Sequence, residues 1–233
     1  MGSPLPRASA PPERRRRIVD ELHDRLIRVG LDALADHGFA LAGGYAIKAH
    51  HILDRLSDDV DLFTSLDRRA EMPAAEARIA QAYEEAGYAV EHVDSSDTYV
   101  RLYVTDPAAG RTSKVELVAE TLDHQPVPSE FGPVLHRDDV AAGKIEALFS
   151  RAELRDFIDV DALIKAGYTR DQLLRFAEHR DAGFDRRVFA DMLGSVTRFR
   201  SDRFAAYGIT PEAADAIKER FAEWRQELSR PAE

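Results

Sequence analysis

Residues 57–64 read SDDVDLFT, and the preceding residues 38–46 read GFALAGGYA. Three aspartates, Asp58, Asp59 and Asp61, fall within four positions, and Asp61 is set between Val60 and Leu62. A solvated charge run does not alternate with apolar residues in this way. On a β-strand, residues i and i+2 share a face, so Asp59 and Asp61 project together while Val60 and Leu62 turn into a core. Two ionised carboxylates side by side repel and lose hydration unless a cation joins them. An all-oxygen donor set suits Mg²⁺ (or Mn²⁺), completed by water and substrate phosphates. Two such ions can clamp the attacking and leaving oxygens of an in-line phosphoryl displacement.

That chemistry wants a third carboxylate from a neighbouring strand. Glu116 interrupts the apolar run KVELV (114–118) between Val115 and Leu117 and is the best candidate. Glu91 in AVEHV (89–93) is a rival, but it reads as an ordinary outward position. Gly43-Gly44, between an apolar run and a helical one, lets backbone amides approach a phosphate at a helix N-terminus. Ser57 adds a hydroxyl donor beside the aspartates. A lone glycine pair is usually a turn and a lone D-x-D usually a solvated loop. The ordered set of apolar strand, glycine pair, helix and S-x-D-x-D is what points to a site.

Outward from this centre, Ile18, Val19, Leu22, Leu26, Val29 and Leu34 recur at helical spacing to about Asp36, where Gly38 fits a stop. Residues 39–42 read as a strand, Tyr45 to about Leu53 as a helix, Val60–Phe63 as a buried strand, and 74–86 as an alanine-rich helix closed by Gly87. Strand patterns follow at 88–93, 98–104 and 114–120, the last two joined by a hairpin loop DPAAGRTS. Beyond Pro126, Pro128 and Pro133 the pattern is helical: 138–151, 154–166, 169–180, 185–199, and a last helix opening at Thr210-Pro211-Glu212. The expectation is an α+β fold, a small mixed sheet flanked by helices and followed by a helical C-terminal half. The expected division is a flexible basic tail over 1–17, a catalytic domain over 18–133 and a helical domain over 134–233.

The 233 residues carry 32 lysines and arginines against 42 acids, a net charge of −10, which argues against a general nucleic-acid coat but leaves room for a local basic face. Apolar residues make up 44%, enough for a core. No apolar run is long enough to span a membrane. With no cysteine there is no disulfide framework or thiolate metal site, and a reducing cytoplasm is the expected location. His50-His51 does not suit metal ligation, because adjacent helical positions diverge by about 100°.

The stretch FALAGGYAIKAHHILDRLSDDVDLFT (39–64) resembles the opening motif of the nucleotidyltransferase-fold superfamily, and within it the AbiEii-type family of toxin nucleotidyltransferases. Gly43, Gly44, Ala46, Arg55, Ser57, Asp59, Asp61, Leu62 and Phe63 stand in the matching places. A second block, DDVAAGKIEALFSRAELRDFIDVDAL (138–163), is similar to the family's lysine-to-RD block through Asp139, Lys144, Ala147, Leu148, Arg151, Arg155, Asp156 and Asp159.

The resemblance implies an enzyme that transfers a nucleoside monophosphate from an NTP to RNA, with the tRNA 3′ end as the expected acceptor and an antitoxin as partner. It implies catalytic roles for Asp59, Asp61, Glu116, Lys144 and Asp156. Asp59, Asp61 and Glu116 would be the metal ligands, or Glu116 would instead take the proton from the acceptor hydroxyl. Gly43, Gly44, Ser57 and Lys144 would hold the nucleotide. Asp156 or Asp159 would hold Lys144 or a nucleobase and ribose edge. A small-molecule nucleotidyltransferase acting on an aminoglycoside-type antibiotic shares the first block and remains an alternative. So does a module that binds a nucleotide or partner without catalysis.

Overall fold

A computed structural model describes residues 20–230. The basic tail, together with Ile18 and Val19 of the first expected helix, lies outside them. Helix α1 (Glu21–Ala33) starts at Asp20, whose carboxylate accepts the Leu22 N–H at 2.9 Å. Its buried stripe of Leu22, Leu26, Ile27 and Leu31 covers the sheet. A 3₁₀ turn then ends at Gly38, which takes φ +66° as a left-handed cap.

Strand β1 (Ala40–Leu41) runs into α2 (Gly43–Ala49), and the chain returns as β2 (Asp59–Ser65). Helix α3 (Met72–Glu85) packs on α1, and β3 (Ala89–Ser95), β4 (Tyr99–Asp106) and β5 (Arg111–Glu120) follow. Two short strands, β6 (Val127–Ser129) and β7 (Gly132–Val134), complete a seven-stranded mixed sheet of order β3-β4-β5-β2-β1-β7-β6. The arrangement is α+β, as expected. β2 lies near the middle, parallel to β5 and antiparallel to β1. Its inward residues Val60 and Leu62 are wholly buried with Val115 and Leu117 of β5, so the alternate residues of both strands share the opposite face.

The helical half comprises α4 (Arg137–Ser150), α5 (Leu154–Lys165), α6 (Arg170–Arg180), α7 (Arg186–Gly194) and α8 (Pro211–Ser229). It has its own core, in which Phe157, Phe189, Phe204, Phe221 and Trp224 are buried together. Thr210 caps α8 by accepting the Ala213 N–H at 3.3 Å, with Pro211 in the first turn. Helix α4 joins the two cores: Val140 packs with the sheet, whereas Ala141, Ile145 and Leu148 pack with the helices.

Three local expectations change. The helix expected over 45–53 stops at Ala49, because the chain reverses at His50 and His51, the latter at φ +56°. The helix expected over 185–199 ends at Gly194 and continues only as a 3₁₀ turn. Pro128 and Pro133 lie inside β6 and β7, directly opposite one another. Pro128 falls on the edge strand β6, where one side of the backbone faces no ladder, and Pro133 sits in β7, whose registered contact with β1 is at the next residue, Val134.

Phe157 is wholly buried, with edge-on rings from Phe199 and Phe221 at 6.0 and 5.0 Å. Phe157→Ala is expected to cost about 3–5 kcal/mol by leaving a cavity between α5 and α8, measurable by urea denaturation.

Candidate active site

The β2–β5 register brings two pairs of charges opposite one another: Asp59 faces Lys114, and Asp61 faces Glu116. Carboxylate oxygens of Asp59, Asp61 and Glu116 all lie within 4.8 Å of one another, a spacing a shared divalent ion can span. Ser57 Oγ donates to Asp59 Oδ1 at 3.1 Å. Lys114 Nζ sits 2.9 Å from Asp59 Oδ2 and 3.1 Å from Glu116 Oε2. The Tyr99 hydroxyl and Arg101 Nε, from β4, both donate to Glu116 Oε1.

These partners divide the three acids. Burial alone would raise Asp59, but Lys114, Arg155 and the Ser57 hydroxyl outweigh it and hold the carboxyl below its usual range. Burial opposes Glu116 in the same way, and Tyr99, Lys114 and Arg101 again bring it below the usual value. Asp61 has no ion-pair partner among the described residues. Burial, reinforced by the charges of Asp59 and Glu116, pushes its carboxyl up to about 7. A half-buried carboxyl flanked by two ionised ones and without an ion-pair partner among the described residues is short of positive charge, so the donor set fits a divalent cation.

The glycine pair is explained by these same side chains. Gly43 has φ +59°, and a Cβ there would lie 1.7 Å from Asp61 Oδ2. A Cβ on Gly44 would lie 2.6 Å from Ser57 Oγ. Any larger residue would therefore displace the acid or the hydroxyl.

Across the cleft, Lys144 Nζ is 2.9 Å from Asp159 Oδ2. Asp159 is wholly buried and also receives Arg55 Nε and Nη2 at 2.7 and 2.6 Å. Despite burial, these two cations keep its carboxyl below the usual range. Arg55, from the loop before β2, and Lys144, from α4, are thus locked to one acid on α5.

The structure places Asp156 elsewhere. It receives Arg151 Nε and Nη2, both at 3.0 Å, and the Glu153 N–H at 3.0 Å, closing a capping box at the start of α5. It is fully buried and does not line the cleft. The residue that holds Lys144 is Asp159, one turn further along α5. Glu91 is exposed on edge strand β3, away from the acids.

The acids, Gly43, Gly44, Ser57 and Lys144 share a cavity of about 500 Å³ between the sheet and α4. Its other end holds Arg180, a residue the sequence did not single out. Arg180 Nη2 is 2.6 Å from Asp139 Oδ1, and Nη1 is 3.1 Å from Glu120 Oε1 and 3.5 Å from Glu146. Arg180 is almost wholly buried, although it sits in the last turn of a helix, where arginine ordinarily reads as a solvated residue favourable to the dipole. Burial pushes Glu120 up to about 7 despite Arg180, with Glu146 adding repulsion.

A second group, His124, His136 and Asp138, has ligand-type spacing. Three of its atoms are engaged within the protein: His136 Nδ1 accepts the Asp138 N–H, Asp138 Oδ1 accepts the Tyr168 hydroxyl, and His124 Nδ1 pairs with Asp139 Oδ2 at 3.3 Å. His50 Nε2 pairs with the Leu135 carbonyl at 2.7 Å, which is a structural contact.

Comparison with known proteins agrees with this architecture. Residues 26–232 match the family described as nucleotidyl transferase AbiEii toxin, type IV toxin–antitoxin system, and the chain belongs to that family. No curated protein matches the sequence. Among solved structures, JHP933 from Helicobacter pylori is 16% identical, with TM-score 0.57 over 90% of this chain and 94% of its own. An H. pylori protein assigned as a nucleotidyltransferase is 18% identical, with TM-score 0.54 over 89% of this chain and 95% of its own. At such identities the likeness is one of fold.

Two outcomes follow from the site's electrostatics. Asp159→Ala leaves Arg55 and Lys144 buried without their acid and is expected to cost about 3–5 kcal/mol in urea denaturation. Glu120, with its folded pKa raised from 4.5 to about 7, contributes stability that is complete below 4.5 and lost as pH rises through about 7. Glu120→Gln is therefore expected to flatten the fall in stability across that window, measured by the same denaturation series.

Proposed function

We propose that the chain is a divalent-metal-dependent nucleotidyltransferase toxin that transfers a nucleoside monophosphate from an NTP to RNA, with the tRNA 3′ end as acceptor. The observation that carries this reading is the Asp59–Asp61–Glu116 cluster facing a fixed lysine across one cavity. Family membership supports the transferase class and an antitoxin partner.

Asp59, Asp61 and Glu116 would hold Mg²⁺ or Mn²⁺, which supplies Lewis-acid polarisation of the α-phosphate and of the attacking hydroxyl. The residues themselves do the rest. The backbone amides of Gly43 and Gly44 would bind the triphosphate, joined by the Ser57 hydroxyl once it turns from Asp59, and no side chain at either glycine would obstruct it. Lys144, oriented by Asp159, would neutralise charge that builds on the leaving pyrophosphate. The acceptor hydroxyl would form a new bond to the α-phosphorus and give its proton to solvent as the α–β bridging bond breaks and pyrophosphate leaves. Glu116, held below its usual range by Tyr99, Lys114 and Arg101, is a poor proton acceptor and would serve as a ligand. Asp156 acts indirectly, by fixing the start of α5 that carries Asp159.

A nucleotide on the tRNA acceptor end would block aminoacylation and so stop translation, a reaction that would take place in the cytoplasm. None of the described helices is long and apolar enough to cross a membrane. The net charge of −10 is compatible with RNA binding through a local surface near the cavity mouth, where Arg151 and Arg155 stand.

The test is incubation with Mg²⁺, total tRNA and each α-labelled NTP in turn. Label should reach tRNA with one or a few nucleotides, and Asp61→Asn should lower the rate by about 10³-fold or more while the fold persists. Metal-dependent NTP binding without any labelled RNA would reject the RNA acceptor and favour a small-molecule one.

A further inference from the structure

The three-acid cluster already contains a cation. Lys114 Nζ bridges Asp59 Oδ2 at 2.9 Å and Glu116 Oε2 at 3.1 Å, spanning the two strands. The register produces this placement, because Lys114 lies opposite Asp59 and two residues before Glu116 on the same face of β5. Lys144 faces the cluster but is paired with Asp159, and Arg101 and Arg155, which reach single acids of it, do not span Asp59 and Glu116. Arg101 reaches Glu116 Oε1, which the Tyr99 hydroxyl also occupies, and Arg155 stands 3.8 Å from Asp59 while pairing with Asp58 and Glu153.

The exposure of the partners is unequal: the Lys114 side chain is 26% exposed against 8% for Asp59. Lys114 is thus the more solvent-accessible partner, and its ammonium sits on a flexible four-carbon stem that can swing away without moving the backbone. Arg101 and Tyr99 hold the remaining oxygen of Glu116 from β4, so that carboxylate keeps its orientation when Lys114 leaves.

We propose that Lys114 is a built-in counter-ion that occupies the place of the divalent cation in the metal-free protein, so that metal binding is an exchange for its ammonium. This rests on the metal-ion reading above. Lys114 must release Asp59 Oδ2 and Glu116 Oε2 before a divalent ion can use them. The arrangement has two opposite effects. It stabilises the empty site, which otherwise gathers three carboxylates with no cation bridging them. It also weakens metal affinity, because part of the attraction of the acids is already satisfied.

The experiment titrates Mn²⁺ into the metal-free full chain by calorimetry, comparing wild type with Lys114→Met, Lys114→Arg and Asp61→Asn, and records Tm in EDTA and in saturating Mn²⁺. Lys114→Met keeps most of the length of the unbranched side chain and removes its charge. It should bind Mn²⁺ about tenfold more tightly than wild type. It should also melt several degrees lower in EDTA, with the gap closing in Mn²⁺. Lys114→Arg, which keeps the charge, should stay near wild type in both measurements. Asp61→Asn losing Mn²⁺ while Lys114→Met binds no tighter than wild type would leave the metal site standing and remove the counter-ion role. Absence of Mn²⁺ binding in wild type and Lys114→Met alike would overturn both.

Discussion

The structure is organised around a repulsion. β2 and β5 run side by side in parallel, and their shared register stacks Asp61 against Glu116 with Asp59 alongside. Like charges at this spacing oppose the strand pairing that creates them, and each loses hydration as it is covered. The fold supports the arrangement from behind: Val60, Leu62, Val115 and Leu117 are fully buried in the sheet core, and that apolar burial fixes the register. In front, positive charge and hydrogen-bond donors gather around Asp59 and Glu116, while Asp61 is left to be neutralised by a proton or a metal ion.

The second half of the molecule is tied to that centre through one buried acid. Asp159 on α5 takes Arg55 from the loop before β2 and Lys144 from α4, so the lysine facing the acids is positioned by residues from three separate segments. The two cations keep the acid ionised, and the acid fixes both cations. Helix α4 contributes to both hydrophobic cores, which makes Lys144 a property of the junction between the halves. At the far end of the cavity Arg180 plays a similar part for Asp139, Glu120 and Glu146. These two clusters make the cleft a set of paired charges with one conspicuous deficit at Asp61.

Much of this was legible along the chain because it depends on local periodicity. Acids at alternate positions in an apolar strand announce a shared face, and a glycine pair before a helix announces a close approach. The β4–β5 hairpin followed from its loop, and α8 from Thr210 and Pro211. What the glycines approach was not legible: they clear Asp61 and Ser57, whose proximity requires β2 to return beside α2. Asp156 and Asp159 look alike in the sequence as acids three residues apart on a helix. One closes a cap on its own helix, and the other meets partners 104 residues and 15 residues away, at Arg55 and Lys144.

The sequence by itself determined the fold class, the strand that carries the aspartates and the family to which the chain belongs, since each is written in spacing over a few consecutive residues. The tertiary structure decided which charges pair. Lys114 reads as an unremarkable residue before an apolar strand, and Arg180 as a solvated helix end. Only the parallel register of β5 on β2 puts the Lys114 ammonium between two acids, and only the packing of α6 buries Arg180 against three. Electrostatic partners are set by distance in space and by how much water is excluded, and neither is encoded in local sequence pattern.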